Sequence, residues 1–289
     1  MLSSTCWRIL TTAVLLTATS AEVSAAELWK LVANSQIIAS GKLSVPREQI
    51  VEFKKSGNDQ YVELSLRLKK CLKGPCASEL VIRYFTGDRA YSPAAQSLFE
   101  QDGKATIVFL ATADDERLYF AGYTPDALRP DTERNSQEVV DEIAAQTSAL
   151  AGFAKNFNRR SDPMFGTVRR LVNDFTNPRE QQLAFAELEK LGDKAVPSMI
   201  ALMDDRRDLA IPQISLKNNF AGAFEGVRHY GPEKVVDAIA ALLSQITGQS
   251  FGEIHNGGSE AQRQAAVNGW RIFLAHQPGF DGQSVSKQQ

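Results

Sequence analysis

Nine residues from Tyr61 to Lys69, YVELSLRLK, alternate without a break. Val62, Leu64, Leu66 and Leu68 fall on one side; Glu63, Ser65, Arg67 and Lys69 fall on the other. A period of two is the mark of a strand with one face buried and one face wet. Such a strand cannot stand alone, so the chain must supply partners that close a core over its apolar face. Leu80 to Phe85 reads as one partner. Thr106 to Ala111, TIVFLA, is apolar on both faces and predicts a central strand. Leu118 to Tyr123 predicts another, after a hairpin turn at Asp114-Asp115-Glu116. Gln36 to Val45 reads as a first long strand with a bulge or bend at Gly41. Gln49 to Phe53 reads as a further short strand, and Leu28 to Ala33 as a helical turn or strand lead-in. Short strands separated by turns, in a segment of this size, predict a small closed barrel. Thr124 to Arg134, with two prolines, reads as a linker or the barrel's closing edge.

After that stretch the period changes to that of a helix. Val139, Ile143, Thr147, Leu150, Ala154 and Phe157 continue a stripe, with Ser136 as a candidate cap. Phe165, Val168, Leu171 and Phe175 form the next. In Arg179 to Asp208, Ala184, Leu188 and Leu191 mark one helix and Val196, Ile200 and Met203 a second. Gly192 ends the first and Asp193 is expected to cap the second. Pro197 is tolerated in the first turn, where its missing amide has no partner to lose. Leu216, Phe220, Ala223, Phe224 and Val227 predict a further helix, with Gly222 and Gly226 permitting a close neighbour. Pro232 opens, and Gly248 closes, a helix bearing Val235, Ile239, Leu242 and Ile246. Ser259 with Gln262 forms a capping box for a last helix with Ala266, Trp270 and Phe273. The expected fold class is therefore α+β in two domains, an all-β barrel followed by a helical domain.

The amino terminus sets the compartment. Arg8 precedes an apolar run from Ile9 to Ala18, and Val23-Ser24-Ala25 fits the small-x-small cleavage rule, so the expected cut follows Ala25. The run is shorter than the roughly 20 apolar residues of a spanning helix. The expected segments are thus a signal peptide over 1–25, a barrel over 26–131 and a helical domain over 132–289. The protein is expected in the periplasm or secreted, with no integral membrane segment once the signal is removed. In that oxidising setting Cys71 and Cys76, in CLKGPC, are expected to form a disulfide. The C-x4-C spacing is not that of a C-x-x-C redox pair.

Two family resemblances follow from these residues. NSQIIASGKL at Asn34–Leu43, YVELSLRLKKCLKG at Tyr61–Gly74, LVIR at Leu80–Arg83 and FEQDGKATIVFL at Phe99–Leu110 together resemble the netrin-like, or tissue-metalloprotease-inhibitor-like, module. That resemblance implies an OB-type barrel. Inhibitors of this family use an N-terminal cysteine on the protease zinc; a chain beginning at Ala26 has none near its start, which argues against inhibition. The Gln181–Asp208 pair, with its early proline, resembles a HEAT repeat, and Leu216–Gly248 is similar but less regular. That resemblance implies an α-solenoid, with an irregular helical bundle as the alternative, and Ile246–Gly252 followed by Trp270 resembles the closing turn of exported bacterial HEAT-like proteins.

Chemistry is sparse. The barrel segment carries 14 basic and 14 acidic residues and the helical segment 17 and 19, so neither has the basic excess of a nucleic-acid binder. No P-loop, zinc-protease, dinucleotide-binding or nucleophile-elbow motif occurs. Three histidines, His229, His255 and His276, are too few and too scattered to predict a metal site, and no cofactor is implied. The one polar concentration is Arg228-His229-Tyr230 with the loop that holds His255 and Asn256, expected as a small binding surface. The bland alternative puts His229 at a helix C-terminus, where a cation suits the helix dipole. The reading that follows is an exported, non-catalytic interaction protein of the bacterial envelope with a protein partner. The alternative is an enzyme or enzyme subunit with a polar site near His229 and His255.

Overall fold

The computed structural model describes residues 25–52, 61–85, 93–112, 117–122, 125–157, 162–217 and 226–277. Residues 1–24 of the expected signal peptide, the turn at Asp114–Glu116, Tyr123 and residues 218–225 lie outside the described residues. In chain order the first half is α1 (Ala25–Asn34), β1 (Ile37–Ser44), α2 (Arg47–Glu52), β2 (Tyr61–Lys73), β3 (Glu79–Phe85), α3 (Pro93–Gln101), β4 (Ala105–Thr112), β5 (Leu118–Phe120) and β6 (Leu128–Pro130). The second half is α4 (Glu133–Asn156), α5 (Phe165–Asn173), α6 (Gln181–Leu191), α7 (Val196–Ala201), β7 (Ile214–Lys217), β8 (Val227–Tyr230), α8 (Val235–Thr247) and α9 (Glu260–Ala275).

The strands close a five-membered ring in the order β1-β2-β3-β5-β4 and back to β1, with β6 added along β4. The β3–β5 contact is parallel and the other ring contacts are antiparallel. Val62, Leu64 and Leu66 of β2 point inward, as the alternation requires, and meet Leu80, Ile82 and Tyr84 of β3 and Val108 and Leu110 of β4. Ala94, Ala95 and Leu98 of α3 join the same core. The pairing of β1 with β2 shifts register between Ser40 and Gly41. A Cβ on Gly41 would stand 2.1 Å from the Arg67 carbonyl oxygen, so only glycine lets β1 cross β2 there.

β4 is buried on both sides, as TIVFLA predicts. Val108 and Leu110 face the barrel core, whereas Ile107 and Phe109 face outward into a second apolar layer. That layer is made by Leu28, Leu31 and Val32 of α1 and Val139 of α4. The helix before the barrel thus covers the barrel's outside and joins it to the helical half. Trp29 of α1 packs on Phe251 and Phe273 and stacks on His276 at 4.9 Å between ring centres. Lys73 Nζ donates to the Val32 carbonyl near the C-terminus of α1, at 2.6 Å.

The helices gather around α8, whose residues from Val235 to Leu243 are all buried. It meets α6, α7, α9 and β7. Gly248 ends it in the left-handed conformation. Ser259 and Gln262 make the expected reciprocal cap on α9. Beneath it, Arg263 donates from Nε and Nη2 to both carboxylate oxygens of fully buried Asp237, which in turn accepts from the amides of Glu233 and Lys234 at the start of α8.

Several expectations are corrected. Of the expected strand Gln49–Phe53, Gln49 to Glu52 belong to helix α2 and Phe53 lies outside the described residues; Pro46 precedes the helix, Glu48 sits in its first turn, and Ile50 is the residue it delivers to the barrel core. Both described ends of the expected Leu216–Val227 helix are strands. Ile214 and Leu216 are buried while Lys217 is exposed, a period of two that pairs β7 with β8. Gly226 has open space around it and no close neighbour. Thr132, rather than Ser136, caps α4 by accepting from the Asn135 amide. Asp193 makes no cap on α7; it lies in a tight 3-10 turn running directly into that helix. α3 lies where no element is expected.

Candidate functional site

The polar residues singled out in the sequence meet at the strand β8 and the loop between α8 and α9. Strand alternation divides the first three. Arg228 and Tyr230 face a concavity of about 480 Å3, which Ser244, Glu253, His255 and Asn256 also line. His229 lies opposite Ser215 across the hairpin, its Nδ1 2.8 Å from Ser215 Oγ, and does not line that space. It therefore caps no helix, and it does not share the pocket with His255.

The loop is held by its apolar residues. Phe251 and Ile254 are buried, and Phe251 packs edge-on to Trp270 at 5.0 Å. Between these anchors the polar residues turn outward: Glu253 and Asn256 are exposed and His255 is half-buried. Asn256 Oδ1 accepts from the Gly231 amide at 2.8 Å, tying the loop to the end of β8. The His255 ring lies 5.5 Å from that of Tyr230. Burial pushes the His255 pKa down; Glu253 opposes this and Arg228 adds to it. At neutral pH the imidazole is uncharged and offers one donor and one acceptor.

A second concavity of about 480 Å3 lies on the other side of the same loop, at the junction of the two halves. Gln36, Thr112, Tyr119 and Gln262 line it, and it shares Ser250 and Glu253 with the first. Among the described residues no group of three or more His, Cys, Asp or Glu is placed to hold a metal ion. Among them, too, no helix is long and apolar enough to cross a membrane. Cys71 and Cys76 form a disulfide that closes the end of β2.

Sequence reasoning missed a second surface, on the outside of the barrel. The outward residues of β2 and β3 pair across the strands as Tyr61 with Phe85, Glu63 with Arg83, Ser65 with Val81 and Arg67 with Glu79. Tyr61 is 44% exposed, Phe85 51% and Val81 51%. The Tyr61 ring contacts Phe85 at 5.4 Å and Tyr119 of β5 at 6.0 Å, and the Arg83 guanidinium lies over it at 5.4 Å. The charges on this face come in opposite pairs, so the patch is aromatic and electrically balanced. The alternation already put Tyr61 and Phe85 outside; what it lacked was the register that brings them together. No protein-family model, curated protein or solved structure significantly matches the chain.

Proposed function

We propose that the protein is exported and serves in the bacterial envelope as a non-catalytic interaction protein, with the barrel's outer face as its principal contact. The observation that carries this reading is the exposed cluster of Tyr61, Phe85 and Val81 with Arg83 and Tyr119 beside it. Large apolar side chains left in water at one place mark contact sites. Tyrosine, phenylalanine and arginine are the residue types enriched where proteins meet. Balanced charge favours a protein over a nucleic acid, which would require a basic surface around such rings.

The strand order and the helix between β3 and β4 support the OB-type reading of the barrel. In such barrels the face of the second and third strands is a recurrent ligand surface, and here that face carries the aromatic cluster. The α6–α7 pair with Pro197 supports one HEAT-like unit. A short open stack has less support, since α8 is enclosed by helices and α4 reaches α9. The enzyme reading built on His229 with His255 loses its motive, because only His255 lines the pocket.

The test is capture from envelope extract on immobilised mature protein, with a Tyr61→Ser/Phe85→Ser variant alongside. The reading predicts a specific protein retained by the first and lost from the second. Equal recovery on both, or no specific protein on either, would count against it.

A further inference from the structure

The polar pocket beside the α8–α9 loop carries an inference of its own, independent of what the barrel contacts. Arg228 and Glu253 both line it, and among the described residues neither side chain makes a hydrogen bond or ion pair. Two opposite charges that share one concavity without pairing are poised for a ligand that carries both signs. Their surroundings sort them. At the β8 end, Arg228 stands with Tyr230 and Asn256, whose Oδ1 is used by the Gly231 amide and whose NH2 group is left as a donor. At the other end, the last turn of α8 contributes Ser244 and Gly248. A helix C-terminus carries partial negative charge and favours a cation. Ser244 Oγ is a buried hydroxyl oxygen with no hydrogen-bond partner.

We propose that this pocket binds a zwitterion of the α-amino-acid class, its carboxylate on Arg228 and Asn256 and its ammonium on Glu253. A guanidinium suits a carboxylate because its planar fork donates twice to one group. Neutral His255, which feels both charges, donates to or accepts from the ligand without favouring either sign. The cavity is larger than an α-amino acid's charged groups require, and its remaining space takes the side chain.

The test is a titration of the purified mature protein with each of the twenty L-amino acids at up to about 10 mM, read by calorimetry and by thermal shift. Any amino acid that binds is then compared with its N-acetyl and its carboxamide derivative and with a dipeptide. The proposal expects at least one amino acid to bind. It expects each derivative to bind at least about tenfold more weakly, the loss of one charge-assisted hydrogen bond. It further expects Arg228→Gln to erase the preference for carboxylate over carboxamide, and Glu253→Gln to erase the preference for free amine over N-acetyl. Both positions are exposed, so folding is checked simply by circular dichroism. The derivative comparison, made on the unaltered protein, stands whatever the variants do. Binding of none of the twenty, equal binding of the derivatives, or binding of dipeptides alone would overturn the proposal.

Discussion

Replacing Gly269 by alanine sets two known effects against each other. Gly269 lies inside α9, where alanine is intrinsically favoured over glycine by about 1 kcal/mol. On helix propensity alone the variant should be more stable. The structure predicts the reverse. A Cβ at this position would stand 2.6 Å from both Cβ and Cγ of Phe251 and 2.7 Å from its Cδ1. Those atoms lie next to the loop backbone, and the ring beyond them is hemmed by Trp29, Trp270 and Phe273. Phe251 therefore cannot swing aside; the loop itself must move. Overpacking of this kind costs about 1 to 3 kcal/mol, and so restrained a neighbour puts the cost near the upper end. The expected net loss is about 2 kcal/mol, or roughly 4 to 8 °C in melting temperature for a chain of this size. Gly166 in α5 is the control, since nothing lies within 4 Å of a Cβ there. Gly166→Ala should be neutral or stabilising by up to about 1 kcal/mol. Thermal and urea unfolding followed by circular dichroism measure both. A Gly269→Ala protein as stable as the Gly166→Ala protein would refute the packing argument, and with it the claim that Phe251 pins the loop carrying Glu253, His255 and Asn256.

Other outcomes follow from the same structure. Arg263→Met should cost about 3 to 5 kcal/mol, because it leaves the buried Asp237 carboxylate without its counter-charge, and Asp237→Leu somewhat less, because Glu233 still accepts from Arg263; the double variant Asp237→Leu/Arg263→Met should cost less than the sum of these two in a urea-unfolding cycle. His276 donates from Nδ1 to the Ile272 carbonyl and faces Glu142 with Nε2, which raises its pKa against the opposing effect of burial. Its contribution should be complete below the unfolded value of about 6.5 and fade as pH climbs through the raised folded value, a slope in melting temperature that Glu142→Gln should flatten. Reduction of Cys71–Cys76 should lower stability by about 2 kcal/mol from the short loop it closes, an effect absent from a Cys71→Ser/Cys76→Ser variant under the same reductant.

What could be read from the sequence was whatever a local period determines. The alternation of Tyr61–Lys69 gave β2 its inner and outer faces, and TIVFLA gave a strand covered on both sides. It could not say what covered Ile107 and Phe109, because the cover is α1, a helix that precedes the barrel and also packs on α9. α8 was legible between Pro232 and Gly248 because an apolar run that long needs enclosure on every side. The error at Leu216–Val227 came from apolar residues spaced by three and four across a segment whose ends are strands. α3 was overlooked although Pro93 begins it and Ala94 and Leu98 lie one turn apart, a signal that was present. For the site, the residue types at Arg228–Tyr230 and His255–Asn256 singled out four residues that line one concavity and one, His229, that does not. The division of His229 from its neighbours depended on their being a strand, and the role proposed for Glu253 depended on which charges remain unpaired, which is a property of the folded chain alone.

A protein partner on the barrel face bearing Tyr61 and Phe85 can be sought directly in the cell. The most direct measurement places a photo-crosslinking amino acid at position 85 in the living cell, with position 187 on the exposed side of α6 as the comparison. One specific protein adduct is expected from position 85, none from position 187, and loss of the adduct when Tyr61→Ser is added. No adduct from position 85, or the same adducts from both positions, would show that this face is not the contact.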